Sequence, residues 1–506
     1  MSEKKICVSV FAETADELVS KLRRAEADAD VIELRFDGLD PEGIRNAFAH
    51  LRSDKQLLLT MRPKEQGGRS ARNATERVGF WTEYALHKTI DHRSIWVDQE
   101  HDLLPQKEFM FWLDQFFVVR SKHYFEGHIA DLNKAYDALA SDSEVAKIAV
   151  SSKDVLDTIG IWRLLQRANE ENKRLIPIAM GEAGKWTRVL GPAYGAFMTY
   201  ASLESGGETA AGQITVEDMK QTFRVPDLDR ETSVYGIIAA NTSYSVSPWM
   251  HNAAFRSAGL NSVFVPLQTT DIEGFLTRMV KPVSREIELN FAGFSVTNPH
   301  KETIIPLLDE VDDTARAIGA VNTVKVNDGK LTGYNTDAQG FIASLKPVYG
   351  ELAGTRVALF GAGGAARACV KALRDAGATV TIFARNQTKG QALAEEFGAT
   401  CESSAGDRIM GEEFDIVVNS TPLGMGTNSN FAVLTAPQLR GLKLVYDLVY
   451  NPSETRLMRE AKTAGVAAIG GLEMLIAQGA EQFKIWTGLE APIEEMRVAV
   501  EKRLTA

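Results

Sequence analysis

The sequence predicts an α/β chain, a parallel eight-stranded barrel followed by a bilobal α/β half. Three observations carry this expectation. The 506 residues exceed what one core ordinarily organises, at roughly 100–200 residues per domain, and their 44% hydrophobic and 24% charged content is that of a folded globular chain. Short β-branched runs alternate with amphipathic stretches through residues 1–224. A glycine-rich turn, Gly361-Ala-Gly-Gly-Ala-Ala366, stands between an apolar strand and a helix.

The strand candidates of the first half are Ile6–Phe11, Val31–Phe36, Gln56–Met61, Ser94–Asp98, Gln115–Val119, Lys147–Val150, Leu175–Met180 and Ala196–Ala201. Between them, Asp16–Ala25, Thr75–Lys88, Asp131–Leu139 and Asp154–Ala168 carry apolar residues every three to four positions, the period of a helix with one buried face. Eight such β/α units predict a TIM barrel. The segment Arg224–Ser233 holds a Pro, several charges and no periodicity, so the boundary is placed there. Further on, the strand Arg356–Phe360, the glycine turn, the helix Ala365–Ala376 and the strand Thr379–Phe383 make a βαβ unit. The expected division is a barrel over 1–224, a substrate lobe over 232–338 with 472–506, and a dinucleotide lobe over 339–471.

Charge and composition exclude several classes. A net charge of −11 makes nucleic acid a poor partner, because such binding needs a clustered positive surface. No run approaches the roughly 18 apolar residues of a membrane span, and Lys4 and Lys5 lead straight into a strand, so neither a membrane partner nor a signal or transit peptide is expected. Cys7, Cys369 and Cys401 are odd in number and widely spaced, which argues against disulfides and thiolate metal sites and for a cytoplasmic location. Cys369 falls on the apolar face of its helix as a small core residue. Oligomeric state is left open.

In a TIM barrel, polar residues at the C-terminal ends of strands converge on one site. Here they are Glu33, Arg35, Arg62, Glu100, His123 just past the fifth strand, Lys147, Arg188 and Gln213, a set suited to an anionic, hydroxylated molecule. Lys147 has two readings, a surface ammonium or a buried amine. Burial beside arginines disfavours a charged amine, and a neutral one attacks ketones to form a Schiff base. His123 likewise is either a structural hydrogen-bonding residue or a proton carrier.

The segments Glu33-Leu-Arg-Phe-Asp37, Thr60-Met-Arg62 with Gly67-Gly68, Asp98-Gln-Glu100, Ser121-Lys-His123, Lys147-Ile-Ala-Val150 and Gly212-Gln213 resemble type I 3-dehydroquinate dehydratase, in order and across the whole first half. That resemblance implies a Schiff base on Lys147, proton transfer by His123 and orientation of His123 by Glu100. It further implies that Arg188 and Gln213 hold the substrate carboxylate and the lid, that Glu33, Arg35 and Arg62 bond ring oxygens, and that Met180 packs on the ring. Two departures stand out: Glu65-Gln-Gly-Gly68 replaces Glu-Gly-Gly, and the lid reads Thr209-Ala-Ala-Gly-Gln213, keeping a hydroxyl at Thr209 but losing a Pro.

In the second half, the glycine turn Gly361, Ala362, Gly363, Gly364, Ala365 and Ala366 aims a helix N-terminus at a pyrophosphate. The next strand ends in Ala384-Arg385-Asn386 without the carboxylate that would meet a ribose hydroxyl, and Arg385 suits a 2′-phosphate, favouring NADP over NAD. Read alone, Arg385 has a second, less favoured reading as a solvated strand-end residue, Lys301 with Asp337 is equally an ordinary ion pair, and Ser245 with Ser247 a turn before Pro248. The blocks Ser245-Val-Ser-Pro-Trp-Met-His-Asn252, Phe294-Ser-Val-Thr-Asn-Pro-His-Lys301, Gly319-Ala-Val-Asn-Thr323, Gly333-Tyr-Asn-Thr-Asp337, Asn419-Ser-Thr-Pro-Leu-Gly-Met425, Val449-Tyr-Asn-Pro452 and Gly471-Leu-Glu-Met-Leu-Ile-Ala-Gln478 resemble shikimate dehydrogenase over about 234–500. The resemblance implies catalysis by Lys301 and Asp337, carboxylate binding by Ser245, Ser247 and Tyr450, and ring contacts from Thr297, Asn322 and Gln478. Thr421, Met425, Gly471 and Met474 join Arg385 and Asn386 on the cofactor side. Tyr244 and Ser295 depart from the family's usual His and Asn, and Ser247, where quinate-preferring members tend to carry Gly, favours shikimate.

Together the two resemblances imply consecutive reactions: dehydration of 3-dehydroquinate to 3-dehydroshikimate, then reduction to shikimate with NADPH, with no metal. Two rival readings differ in class. A noncatalytic metabolite sensor is disfavoured by the retained Lys147, His123, Lys301 and Asp337 and by the lack of a DNA-binding module. A lyase of the aldolase type joined to a quinate dehydrogenase would share the strand lysine but not its surroundings.

Overall fold

The computed structural model describes residues 4–85, 95–103, 115–125, 132–140, 144–403 and 405–505. The expected helix end at Lys88, strand start at Ser94 and helix start at Asp131 lie outside these residues. Among the described residues, no helix is long and apolar enough to cross a membrane.

Eight strands build the first sheet: β1 (Lys5–Phe11), β2 (Val31–Arg35), β3 (Gln56–Thr60), β4 (Ile95–Glu100), β5 (Phe117–Tyr124), β6 (Val145–Ser151), β7 (Leu175–Met180) and β8 (Met198–Ser202). All pairings are parallel, in the order β7-β6-β5-β4-β3-β2-β1-β8. Phe197 N donates to Leu175 O at 2.9 Å, bringing the start of β8 back to β7. Strands covered on both faces read as near-continuous apolar runs, which is why most were visible in the sequence.

Side-chain alternation then sorts the barrel interior into layers. One buried apolar cluster takes Cys7, Val31, Leu58, Trp96, Val119, Val145, Ile176 and Met198, one from each strand. Two residues further along the strands stand Ser9, Glu33, Thr60, Asp98, Ser121, Lys147 and Tyr200, and two further again Arg35, Arg62, Glu100, His123 and Met180. The N-terminal part of the barrel is thus an apolar plug and the C-terminal part a charged mouth. His123 was expected past the fifth strand; it lies on β5, which continues five residues beyond Val119, to Tyr124, because its inward polar side chains face that mouth.

A second, mixed sheet has the order β10-β9-β11-β13-β14-β12, from β9 (Ser233–Ala239), β10 (Ser262–Gln268), β11 (Phe291–Val296), β12 (Glu310–Val311), β13 (Thr323–Asn327) and β14 (Lys330–Tyr334). A third, wholly parallel sheet has β15 (Arg356–Phe360), β16 (Thr379–Phe383), β17 (Thr400–Glu402), β18 (Ile416–Asn419), β19 (Leu444–Asp447) and β20 (Ala467–Ile469), ordered β17-β16-β15-β18-β19-β20. That is the doubly wound dinucleotide-binding order, whose strand direction of travel reverses between β15 and β18 and opens a crevice there. Its core includes Val357, Leu359, Val380, Ile382 and Val418, with Cys369 fully buried among them.

By compactness the chain divides into Met1–Ser233 with Val265–Asn290, and Val234–Phe264 with Phe291–Ala506. The stretch 265–290, placed in the substrate lobe from sequence, groups with the first unit: Thr269 Oγ1 and Thr270 N both donate to the Asp154 carboxylate at 2.9 Å.

Candidate functional site

Lys147 projects from the middle of β6 and is 3% exposed. Its Nζ lies 3.5 Å from Asp98 Oδ2 and 3.6 Å from Glu33 Oε1, and 3.9 Å from the centroid of the Tyr200 ring. The structure sets other groups where arginine neighbours were expected. The groups touching the ammonium are carboxylates and an aromatic face, because parallel pairing puts Glu33, Asp98 and Lys147 in one interior layer. Burial alone would raise the Glu33 carboxyl, but Lys147, Arg35 and Arg62 outweigh it and bring it down to about 2. Ser9 and Thr60 also donate to Glu33, the latter at 3.0 Å.

Arg62 is the hub of the mouth. Its guanidinium gives Asp98 a hydrogen bond of 2.5 Å and Ser121 Oγ one of 2.8 Å, and approaches Glu33 at 3.7 Å and Glu100 at 3.6 Å. Arg62 Nη1 also stands 3.3 Å from His123 Nδ1. Glu100 therefore meets His123 through Arg62, while its other oxygen takes Arg77 Nη1 at 3.2 Å. Burial, then Arg62, Lys147, Arg35 and Arg188, push the His123 imidazolium well below its usual range, so the ring is a neutral base at pH 7. Arg35 forks onto Asp37, Nε to Oδ1 at 2.6 Å and Nη2 to Oδ2 at 2.7 Å, and so borders the mouth already paired.

Arg188, on the helix Lys185–Leu190, is buried with no carboxylate partner among the described residues. Among the described residues its Nη2 reaches only Ala211 O, at 3.4 Å, and its Nε has no hydrogen-bond partner. Burial lowers it from 12.5 to about 10. A buried guanidinium in this condition is suited to an anion. Over it runs the lid: Gln213 Oε1 accepts from Thr209 N at 2.7 Å, and Thr209 Oγ1 donates to Ser9 Oγ at 2.8 Å. Met180 is buried at the end of β7.

In the second unit Lys301 Nζ donates to Asp337 Oδ2 at 2.5 Å, and Asn322 Nδ2 donates to Asp337 Oδ1 at 2.9 Å and to Gln478 Oε1 at 3.4 Å. Ser245 and Ser247 are buried, with Ser247 N donating to Ser245 Oγ at 3.2 Å, and burial pushes the Tyr450 phenol up. Thr297 follows β11, half-buried, its N–H on Ile238 O at 3.0 Å.

The glycine turn begins at Gly361, whose φ of 122° suits glycine alone. A Cβ at Gly364 would fall 2.9 Å from Lys301 Cδ, so the turn and the Lys301 side chain are in contact. Ala365 and Ala366 open the helix Gly364–Asp375, while Ala362 and Gly363 precede it. Arg385 is exposed past β16 and Asn386 caps the following helix, accepting from Lys389 N at 3.1 Å. Thr421 Oγ1 donates to Asn419 Oδ1 at 2.7 Å just past β18, with Met425 beyond it; Gly471 and buried Met474 begin the helix Leu472–Thr487. A glycine-lined approach, a helix N-terminus and a strand-end cation at the crevice of a doubly wound sheet fit a dinucleotide. Among the described residues no group of His, Cys, Asp or Glu is arranged to hold a metal ion.

Family models match along the chain: type I 3-dehydroquinase over 6–229, the shikimate dehydrogenase substrate binding domain over 237–324, shikimate/quinate 5-dehydrogenase over 344–438 and the shikimate 5′-dehydrogenase C-terminal domain over 471–501. The chloroplastic bifunctional 3-dehydroquinate dehydratase/shikimate dehydrogenase of Arabidopsis thaliana is 32% identical, over 97% of this chain and 83% of that protein. The chain belongs to that bifunctional family. Its second half is 41% identical to the shikimate dehydrogenase (NADP(+)) of Methanopyrus kandleri, covering 55% of this chain and 98% of that one. A solved shikimate dehydrogenase in complex with NADP+ matches with a TM-score of 0.50 and 39% identity, over 55% of this chain and 98% of that one.

The dehydratase barrel gathers more than the residues named from sequence. Asp98, Ser9, Ser121 and Tyr200 share the layer of Lys147. Asp98 and Ser121 stand in quoted motifs without a role, two residues back from Glu100 and His123, whereas Ser9 and Tyr200 lie on β1 and β8, where the sequence offered no site residue to count from. Tyr200 keeps a buried hydroxyl with no hydrogen-bond partner among the described residues.

Proposed function

We propose that the barrel dehydrates 3-dehydroquinate to 3-dehydroshikimate through a Schiff base on Lys147 and that the second unit reduces this product to shikimate with NADPH. The observation that supports it most is the setting of Lys147, a buried amine between two carboxylates and an aromatic face, at a mouth that also holds an unpaired Arg188 and a neutral His123.

In this reading Lys147 Nζ adds to the substrate ketone and water leaves, giving an iminium. Glu33, Asp98 and the Tyr200 face, which surround the ammonium, then surround the iminium charge. The iminium acidifies the adjacent C–H, His123 takes that proton, and the resulting enamine expels the β-hydroxyl as water with the proton His123 returns. Hydrolysis of the conjugated imine frees the enone and Lys147. Arg188 takes the substrate carboxylate, Gln213 and Thr209 close the lid, and Arg62 holds His123 in place.

For the reduction, Gly361 to Ala366, Arg385, Asn386, Thr421, Met425, Gly471 and Met474 would hold NADP, and NADPH when bound supplies a hydride. Lys301 and Asp337 deliver the proton to the ketone oxygen as negative charge builds there. Ser245, Ser247 and Tyr450 take the carboxylate, and Thr297, Asn322 and Gln478 the ring oxygens. The substrate lobe is read as 232–338 with 472–506 and the cofactor lobe as 339–471, in keeping with the family-model ranges. Three free cysteines support a reducing, cytoplasmic location.

The test is absorbance with 3-dehydroquinate, following enone formation without cofactor and NADPH consumption with it. The expected record is enone formation alone and then NADPH loss that lags behind it. Reduction of 3-dehydroshikimate with no consumption of 3-dehydroquinate would overturn the dehydratase assignment.

A further inference from the structure

A buried polar chain in the second unit ends on the Lys301–Asp337 pair without belonging to it. Gln482, on the helix Leu472–Thr487, is 2% exposed. Its Oε1 accepts from Ser295 Oγ at 2.8 Å and faces His251 Nε2 at 3.2 Å. Its Nε2 donates to the Asn322 backbone O at 3.2 Å and to Thr323 Oγ1 at 3.0 Å. Thr323 Oγ1 donates in turn to Asn322 Oδ1 at 2.8 Å, which also accepts from Thr336 N at 2.9 Å. From Asn322 Nδ2 the chain passes to Asp337 Oδ1 at 2.9 Å, and Asp337 Oδ2 takes Lys301 at 2.5 Å.

The direction of every bond follows from one fixed acceptor. The Asn322 carbonyl can only accept, so the amide nitrogen of Gln482 must face it and the amide oxygen must face Ser295 and His251. His251 then carries its proton on Nε2, consistent with an Nδ1 that has no partner. Thr323, already accepting from Gln482, places its single proton on Asn322 Oδ1. Together with Thr336 N, that turns the Asn322 amide so that its NH2 faces Asp337. Gln482 thus grips both the Asn322 backbone and, through Thr323, its side chain.

We infer that Gln482 is a positioning residue for the reduction, holding Asn322 and through it the Asp337 carboxylate against Lys301. The inference rests on the proposed assignment of proton delivery to Lys301 and Asp337. Nothing of Gln482 touches those two groups, so its effect must travel by geometry and must appear in turnover more than in cofactor affinity.

The experiment measures 3-dehydroshikimate reduction in the full chain, with dehydration by the same chain as the control for folding. Gln482→Met keeps length and apolar bulk but removes both the amide donor and the acceptor. The expected result is a kcat for reduction lowered about tenfold, the scale of one misaligned, buried hydrogen bond, with the NADPH KM within about twofold and dehydration unchanged. Thr323→Val should reproduce the loss, Thr323→Ser should restore turnover, and Gln482→Met/Thr323→Val should be no slower than the slower single variant, as for two links of one chain. A Gln482→Met enzyme of reduced thermal stability but undiminished kcat would overturn the role, as would multiplicative losses in the double variant. If Gln482→Met does not fold, the Thr323 pair decides alone, and full turnover in Thr323→Val overturns it. Reduction surviving Lys301→Ala would overturn the site assignment itself and the positioning role with it, whereas turnover surviving only in the Gln482 and Thr323 variants overturns the positioning role alone.

Discussion

Replacing Arg188 by Met is expected to stabilise the dehydratase barrel and disable it in the same step. The guanidinium is buried, finds one carbonyl at 3.4 Å and leaves its Nε unpaired. Burial pulls its pKa from 12.5 to about 10, which at about 1.4 kcal/mol per pH unit is a penalty of about 3 kcal/mol on the charged form in the folded chain. The sign follows from a base whose folded pKa is lowered. The penalty is present in full at pH 7 and is relieved only as pH rises past about 10 toward the unfolded value. Met keeps the buried length and carries no charge, so the upper bound on the gain is the same ~3 kcal/mol, or roughly 6–12 °C in the melting temperature of a domain of this size. Against it stands the loss of a desolvated charge-assisted contact with the substrate carboxylate, worth about 1.5–3 kcal/mol, or roughly a 10- to 100-fold rise in the KM for 3-dehydroquinate. Calorimetry with and without 3-dehydroshikimate, beside steady-state dehydration, reads both effects. A lower melting temperature together with an unchanged KM would show that the charge is satisfied in some other way and that Arg188 is no anion receptor.

Lys147→Ala should abolish dehydration and leave reduction of 3-dehydroshikimate intact, and Lys301→Ala should do the reverse; assays of both activities on each variant check this, and equal loss of both in either would contradict the assignment of one lysine to each reaction. Arg385→Ala should raise the KM for NADP far more than that for NAD, by loss of a charge-assisted contact to the 2′-phosphate, and an unchanged ratio of the two constants would refute that role. Glu33, brought from 4.5 down to about 2, adds about 3 kcal/mol to stability above pH 4.5, lost as pH falls toward 2. Glu33→Gln should therefore lower barrel stability at pH 7 and flatten the acid limb of a denaturation series between those values.

What the sequence revealed and what it hid follow from locality. Strands buried on both faces declare themselves by composition, so seven of the eight barrel strands could be drawn within a few residues of their observed ends. The fifth was stopped at Val119 because Arg120-Ser-Lys-His-Tyr124 reads as a polar loop. Inside the mouth of a barrel, polarity does not end a strand, since alternate side chains face a charged site rather than an apolar core. The neighbours of Lys147 were misjudged for a related reason. Glu33 and Asp98 reach it by the register of pairings that run through β3, β4 and β5 to β6, and register is a property of the assembled sheet. Lys301 and Asp337, 36 positions apart, were found through family motifs, and no spacing rule would have joined them. The Gln482 chain left no motif at all, because a buried Gln on an apolar helix face is visible only once its partners from Ser295, Asn322 and Thr323 surround it.

The two candidate centres set a lysine against opposite electrostatic demands. In the proposed Schiff-base mechanism the Lys147 nitrogen carries positive charge, and the structure surrounds it with Glu33, Asp98 and the face of Tyr200, all of which favour a cation at that point. In the dehydrogenase the charge that must be met is negative and develops on a substrate oxygen outside the protein's own chain. There Lys301 has one carboxylate partner, Asp337, whose second oxygen is occupied by the neutral amide of Asn322. A cation in place of Asn322 would share the Asp337 carboxylate and loosen its hold on Lys301, whereas a neutral donor fixes the carboxylate without neutralising it. Substituting a cation for Asn322 and substituting a neutral residue for Glu33 are therefore opposite errors: the first competes with Lys301 for Asp337, and the second removes charge that Lys147 needs.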